Sequence, residues 1–459
     1  MCGLFGIRAP ERDVARVSYF GLFALQHRGQ ESAGIAVSDR GRLTVVRDLG
    51  LVAQVFTEQT LHGLDGQLAI GHTRYSTTGA NRWANAQPLV HHGRARTVAL
   101  GHNGNLTNSE ELREELEADG VRLGSSSDSE LIAALIANDP SPLEEAVVHT
   151  LERVDGATTG VALSEGKLLG FRDPYGFRPL VLGRLDDDWV LASESCALDL
   201  VGAEPVRQLE AGELVAIGEE VEWRQVAHPE DRLCLFEFIY LARPDSRLEG
   251  VEVHGARVRM GEALASEAPA DADLVMPVPD SGTPAAIGFA RASGIPFNEG
   301  LIKNRYVGRT FIQPDQALRE QGIKLKFNPL DEVADKRVVV VDDSIVRGTT
   351  MRQLVATLFE AGAAEVHVRV SSPPIVSPCF YGIDFGDTDQ LVAAEQTIEE
   401  TRREIGATTL AHLSLEAVQA ATRRPANRFC RACFTREYPT RVPAGRTLAK
   451  LRFEPAGVS

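Results

Sequence analysis

Val338-Val339-Val340-Val341-Asp342-Asp343-Ser344-Ile345-Val346-Arg347-Gly348-Thr349-Thr350 is the stretch whose reading decides the fold of this chain. Four β-branched residues in succession suit a strand buried on both faces, as in a parallel sheet. The run ends in two carboxylates, a glycine and three hydroxyls. Beyond it Met351, Leu354, Val355, Leu358 and Phe359 recur at helical spacing, Gly362 supplies a stop, and Val366, Val368 and Val370 alternate as a further strand. This is a βαβ unit. Ligands bind such sheets at the C-terminal ends of the strands, where the free N–H groups of the following helix favour a phosphate. Adjacent carboxylates in a confined loop also repel one another unless a cation or sugar hydroxyls lie between them.

Leu274-Val275-Met276-Pro277-Val278-Pro279, then Asp280-Ser281-Gly282, then a helix from Thr283 repeats the same logic. Alone, that loop reads as an ordinary strand-to-helix turn; beside the first it suggests sites for two phosphate groups. A Walker-type loop is excluded. The nearest approach, Gly160 to Gly166-Lys167, has one residue too many between its glycines and puts Leu168 where a magnesium-binding hydroxyl belongs.

At 459 residues the chain predicts two or three domains with large cores. Residues 1 to about 225 read as short strands and turns without long apolar blocks; Leu168-Leu169-Gly170-Phe171 and Trp189-Val190-Leu191-Ala192 suit sheet segments. From about residue 231 longer apolar strands alternate with helices, so the division falls into 1–230 and 231–459, the latter an α/β domain. The formal charge of −16 disfavours nucleic acid or an anionic membrane as a partner. No apolar stretch reaches a membrane span and no signal-peptide layout opens the chain, which makes a cytoplasmic location the expectation. In a reducing compartment Cys2, Cys196, Cys234, Cys379, Cys430 and Cys433 are better read as metal ligands, nucleophile or core than as disulfides.

Two of these readings carry chemistry. Removal of Met1 would leave Cys2 with a thiol and a free α-amine, a nucleophile with its own base at neutral pH. Cys430-Arg431-Ala432-Cys433, with Cys234 and Cys379 upstream, offers four thiolates to zinc or to an iron–sulfur cluster, and one close pair plus two single cysteines leans slightly toward the cluster.

Val338 to Thr350 resembles the phosphoribosyl pyrophosphate signature of type I phosphoribosyltransferases. With Met1-Cys2-Gly3-Leu4-Phe5-Gly6 at the other end, nearly the whole chain resembles the amidophosphoribosyltransferase family, glutamine-dependent enzymes that open purine biosynthesis. The resemblance implies an α+β N-terminal-nucleophile hydrolase sandwich (αββα) followed by an α/β type I phosphoribosyltransferase domain. It implies that Cys2 attacks the glutamine side-chain amide, with Asn103 and the Gly104 N–H as oxyanion hole, Arg74 on the glutamine α-carboxylate and Asp128 on its α-amine. Arg28, in Gln26-His27-Arg28-Gly29-Gln30, joins the substrate-binding pattern. In the second half it implies Asp342, Asp343 and Ser281 near magnesium, and Ser344, Arg347, Gly348, Thr349 and Thr350 around the 5′-phosphate. Lys303 and Arg305 belong to a loop, continuing to Lys326, that closes over phosphoribosyl pyrophosphate.

The same resemblance makes Cys234, Cys379, Cys430 and Cys433 ligands of a structural [4Fe-4S] centre, leaving Cys196 as core. It implies ammonia crossing between the two sites, a homotetramer, and purine nucleotides as feedback inhibitors. Many cluster-bearing relatives carry a propeptide before the nucleophile, whereas here only Met1 stands before Cys2. Two other readings compete: a non-enzymatic, oxygen-sensing regulator that binds phosphoribosyl pyrophosphate, and a hexosamine-phosphate synthase. The complete glutaminase pattern argues against the first and the Asp342-Asp343 loop against the second.

Overall fold

The structure, a computed structural model, describes residues 1–304, 327–385 and 387–442. The first half is built on two antiparallel sheets. One holds β1 (Gly3–Arg8), β2 (Ser32–Asp39), β3 (Arg42–Leu49), β4 (Leu68–Arg74), β9 (Val181–Leu185), β10 (Asp188–Ala192) and β11 (Glu204–Gln208), in the order β11-β9-β10-β1-β4-β2-β3. The other holds β5 (Leu89–His92), β6 (Thr97–Leu106), β7 (Gly156–Ser164), β8 (Lys167–Arg172), β12 (Glu213–Ile217) and β13 (Val221–Gln225), in the order β13-β12-β8-β7-β6-β5.

The period-two alternation of a strand explains the layering. Along β1, Leu4 faces the opposing sheet and shares a core with Ala99 and Val161 of that sheet and with Ile70 and Leu191 of its own, whereas Phe5 and Ile7 face the helix Val14–Ala24 on the outside. The helices Ser109–Ala118, Asp128–Asn138 and Leu143–Arg153 cover the second sheet. Each fully buried Leu, Ile or Phe in these layers contributes roughly 1.5–3 kcal/mol of hydrophobic stabilisation. The αββα architecture is therefore the one expected, with one correction to the reading of this half. Leu131-Ile132-Ala133-Ala134-Leu135-Ile136-Ala137 is an apolar block, buried throughout. A helix that is apolar all round is stable only when covered on every side, and here a sheet and two flanking helices cover it.

In the second half four parallel strands, Leu274–Pro277, Arg337–Asp342, Glu365–Val370 and Thr409–His412, lie in that order. Val338 to Val341 are fully buried, between the Thr349–Glu360 helix on one face and apolar side chains of other helices on the opposite face. The Val253–Glu267 and Thr283–Ser293 helices pack closely, because Gly261 and Gly288 allow backbone to meet backbone where any side chain would strike a carbonyl oxygen. Leu233–Cys234 pairs in parallel with Phe429–Cys430, tying the start of this half to residues far downstream.

Candidate active sites

The end of β1 sets the first site. Gly3 pairs with Thr73 of β4, so Cys2 lies one residue beyond that pair, near Arg74 and Tyr75. Cys2 is buried; its N–H donates to Asn103 Oδ1 at 3.1 Å and its Sγ lies 3.8 Å from Tyr75 O. Because the Asn103 oxygen is turned toward Cys2, its Nδ2 points the other way, and that buried donor has no partner. An unmet N–H inside a protein costs about 1–3 kcal/mol, which marks the position as built for an acceptor. Gly104 follows on β6, paired with Thr158.

Asp128 opens its helix beside the same strand. Its Oδ2 accepts the Leu106 N–H at 2.9 Å, while Ser129 Oγ lies 2.9 Å from His102 Nδ1. The helix N-terminus is thus tied to β6 on both sides of Asn103 and Gly104. Arg74, fully buried, donates to the carbonyls of Thr78, Gly79 and Ala80 at 3.1–3.2 Å and lies 4.0 Å from Glu31. It holds the loop that walls this side of the site.

Arg28 lies beside the same site, its Nη1 3.7 Å from Met1 Sδ. Its guanidinium is paired with Glu194 and, at 2.6 Å, with Glu237 of the second half. Burial opposes its charge, yet the two carboxylates hold its pKa above the ordinary value. Glu194 is likewise held below the usual carboxylate range: burial works against it, but Arg28 and His27 outweigh burial. Arg178 completes the network, 3.2 Å from Glu237. Arg178, Glu194 and Glu237 escaped the sequence reading, because each stands in an unremarkable local context and finds its partners tens to hundreds of residues away.

The second site lies where adjacent strands end. Pro277 pairs with Val341, so the Asp280–Gly282 and Asp342–Thr350 loops emerge side by side, and Gly282 abuts the Val341 carbonyl and Asp342 Cα. The Ser281 and Ser344 hydroxyls both hydrogen-bond Asp343. Burial, then the neighbouring Asp343 charge, pushes Asp342 well above the ordinary carboxylate value; burial also raises Asp343. Two acids held against their own charge form a place for a cation. Arg257, buried and hydrogen-bonded to the carbonyls of Phe238 and Ala242 at 2.8 Å, supplies positive charge nearby and was not foreseen. Gly348, at φ +74°, turns the loop into the helix that begins with Thr349 and Thr350; Arg347 is exposed. Lys303 reaches Asp280 at 2.6 Å. Arg305 and the stretch to Lys326 lie outside the described residues.

All six cysteines are free thiols. Cys234, Cys379, Cys430 and Cys433 share one buried core, with Cys234 directly opposite Cys430 and the Cys433 carbonyl accepting N–H groups from Val376 and Ser377 at 2.9 and 3.2 Å. Cys379 Sγ accepts the Tyr381 N–H at 3.4 Å. Burial, reinforced by neighbouring thiols, raises Cys430 and Cys433, and Cys234 is pushed up to about 11. Among the described residues no three His, Cys, Asp or Glu side chains converge as ligands of a single ion. Cys196 lies apart, in the core beneath the first sheet.

An αββα sandwich with a cysteine against an asparagine amide, joined to a parallel sheet with acidic and hydroxyl-rich loops, defines a glutamine amidotransferase coupled to a phosphoribosyltransferase. Family models agree: a glutamine amidotransferase domain matches residues 72–200 and a phosphoribosyl transferase domain residues 254–372. The amidophosphoribosyltransferase of Mycobacterium bovis is 52% identical over 98% of this chain and 88% of its own length, and that of Archaeoglobus fulgidus 48% identical over 96% and 99%. The solved glutamine phosphoribosylpyrophosphate amidotransferase from B. subtilis, complexed with ADP and GMP, superposes with a TM-score of 0.92 at 44% identity, covering 98% of this chain and 100% of that one. The chain belongs to the amidophosphoribosyltransferase family.

Proposed function

We propose that this chain transfers ammonia from glutamine to phosphoribosyl pyrophosphate, giving 5-phosphoribosylamine, glutamate and pyrophosphate, the first step of de novo purine biosynthesis. One observation carries the residue-level reading: Asn103 binds the Cys2 nitrogen through its oxygen and leaves a buried, unpaired Nδ2 on its other side. With Met1 removed, the Cys2 α-amine takes the thiol proton as sulfur attacks the glutamine amide carbon. Asn103 Nδ2 and the Gly104 N–H receive the negative oxygen, ammonia leaves, and water cleaves the thioester to glutamate and free thiol. Asp128 holds the glutamine α-amine, and Arg74 gives one of its donors to the α-carboxylate. Arg28, beside Met1 and paired with Glu237, belongs to the substrate-binding side of this site and also docks the second half against it.

Residues 231–459 hold phosphoribosyl pyrophosphate. Gly348, Thr349, Thr350 and Ser344 surround the 5′-phosphate, Asp342 and Asp343 face the ribose hydroxyls, and Lys303, Arg305 and Arg347 bring positive charge. Magnesium, held by Asp342, Asp343 and Ser281 with substrate oxygens, would neutralise pyrophosphate as it leaves. Ammonia attacks C1 of the ribose.

Four buried thiols with an N–H donated to Cys379 suit a [4Fe-4S] cluster. Zinc takes the same soft donors, but one close pair plus two single cysteines favours the cluster. The cluster would be structural, since the reaction moves no electrons. A homotetramer, purine-nucleotide feedback and a cytoplasmic location complete the reading; among the described residues no helix is long and apolar enough to cross a membrane.

The test is phosphoribosyl-pyrophosphate-dependent release of glutamate, with formation of phosphoribosylamine, by anaerobically purified protein. Binding without turnover would favour the regulator. An intact mass that retained Met1 in active protein would sink the free-amine mechanism. Iron and sulfide analysis under nitrogen should find four of each per chain, and a Cys430→Ser variant should lose iron; a full cluster in that variant would remove Cys430 from the ligand set.

A further inference from the structure

We propose that the Phe380–Gly382 segment of the second half is a wall of the glutaminase oxyanion hole, with Gly382 its positioning residue; this rests on the reading of Cys2, Asn103 and Gly104 given above. The segment is seated on the first half at three points. Asn105 Nδ2 donates to Phe380 O at 3.2 Å, Arg178 donates through Nε and Nη2 to Tyr381 O at 3.2 and 2.7 Å, and the Tyr381 ring stacks on Phe177 at 4.2 Å between centroids. These contacts bring Gly382 against the backbone of Gly104. A Cβ on Gly382 would stand 2.9 Å from Gly104 O, 3.0 Å from its carbonyl carbon and 3.3 Å from its Cα.

Gly104 has nowhere to retreat. A side chain on it would strike Ala157 O, its strand is paired to Thr158, and Thr77 Oγ1 donates to its carbonyl at 3.5 Å. The residue that offers the oxyanion its N–H is therefore clamped through its Cα and carbonyl between Ala157 on one side and Gly382 on the other. Gly382 also adopts φ +99°, so any other residue there is both strained and crowded. An oxyanion donor is effective only at about 2.7–3.1 Å from the developing charge. A displacement of Gly104 by a few tenths of an ångström thus weakens the transition state and leaves the groups that hold the glutamine backbone untouched.

The experiment compares Gly382→Ala with the parent chain in two assays: glutamate release from glutamine, and phosphoribosylamine formation from ammonium chloride, which bypasses the glutaminase and reports a folded second half. The variant should lose about 10-fold to 100-fold in kcat for glutamine. Its KM for glutamine and its ammonia-dependent rate should stay within about twofold. Asn105→Asp, which removes the donor to Phe380 O and keeps the acceptor of the Thr78 hydroxyl, should show the same split at about fivefold to tenfold. Unchanged glutamine turnover in both variants overturns the inference, as does a parallel fall in both assays, which marks a packing position, or a rise confined to KM. A parent chain unable to release glutamate overturns the underlying reading, and the inference with it.

Discussion

Asn103 turns its oxygen toward the nucleophile and its Nδ2 away from it, so its two ends are separable. Asn103→Ala should lower kcat for glutamate release by about 10²-fold to 10³-fold, with ammonia-dependent synthesis intact; equal loss in both assays would show a folding defect instead. His72 makes a prediction about pH. Burial lowers its pKa from 6.5 to about 3, so on acidification the unfolded chain takes up this proton first. Its contribution is complete above pH 6.5 and is lost as pH falls toward 3, about 2 kcal/mol by pH 5. His72→Gln should flatten the dependence of the urea midpoint on pH between 6.5 and 5; an unchanged slope would show that other groups dominate. Cys2, Asn103 and Asp128 were legible as residues because they lie in short motifs. Glu194 and Glu237 were not, since a buried carboxylate and an exposed one look alike until the partner guanidinium is in place.

At the scale of elements, the Val338–Thr350 unit was readable because periodicity switches from a continuous apolar run to helical spacing across one glycine. Gly348→Ala tests that junction. A non-glycine residue at φ +74° costs about 1–2 kcal/mol, and relief of that strain would turn the Thr349 and Thr350 N–H groups away from the phosphate. The expected outcome is a raised KM for phosphoribosyl pyrophosphate, with stability lowered by about the same 1–2 kcal/mol in urea; an unchanged KM would show that the loop tolerates the distortion. The Asp128–Asn138 helix shows why the first half read less clearly. Leu131 to Ala137 carry no amphipathic stripe, because the surfaces that bury them come from β5 and β6 and from helices before and after.

For the whole molecule, the decisive feature is the buried network of Arg28, Arg178, Glu194 and Glu237 between the halves. Glu237→Ala would leave Arg178 buried without this counter-charge and Arg28 with one carboxylate instead of two. Breaking a buried pair in this way costs about 3–5 kcal/mol. Denaturant midpoints should fall accordingly, and glutamine-dependent synthesis should suffer more than ammonia-dependent synthesis, since the lost contact seats one half on the other. A Glu237→Ala chain as stable as the parent would mean that water replaces the carboxylate.

The pairing of Leu233–Cys234 with Phe429–Cys430, and of Asn105 with Phe380, also bears on how the protein is made. On the ribosome the sandwich emerges first and has its own core, but the backbone that steadies Gly104 is synthesised some 275 residues after its partner. With Gly382 as the positioning residue proposed above, a nascent chain would hydrolyse glutamine more slowly until the half that consumes the ammonia has been translated and docked.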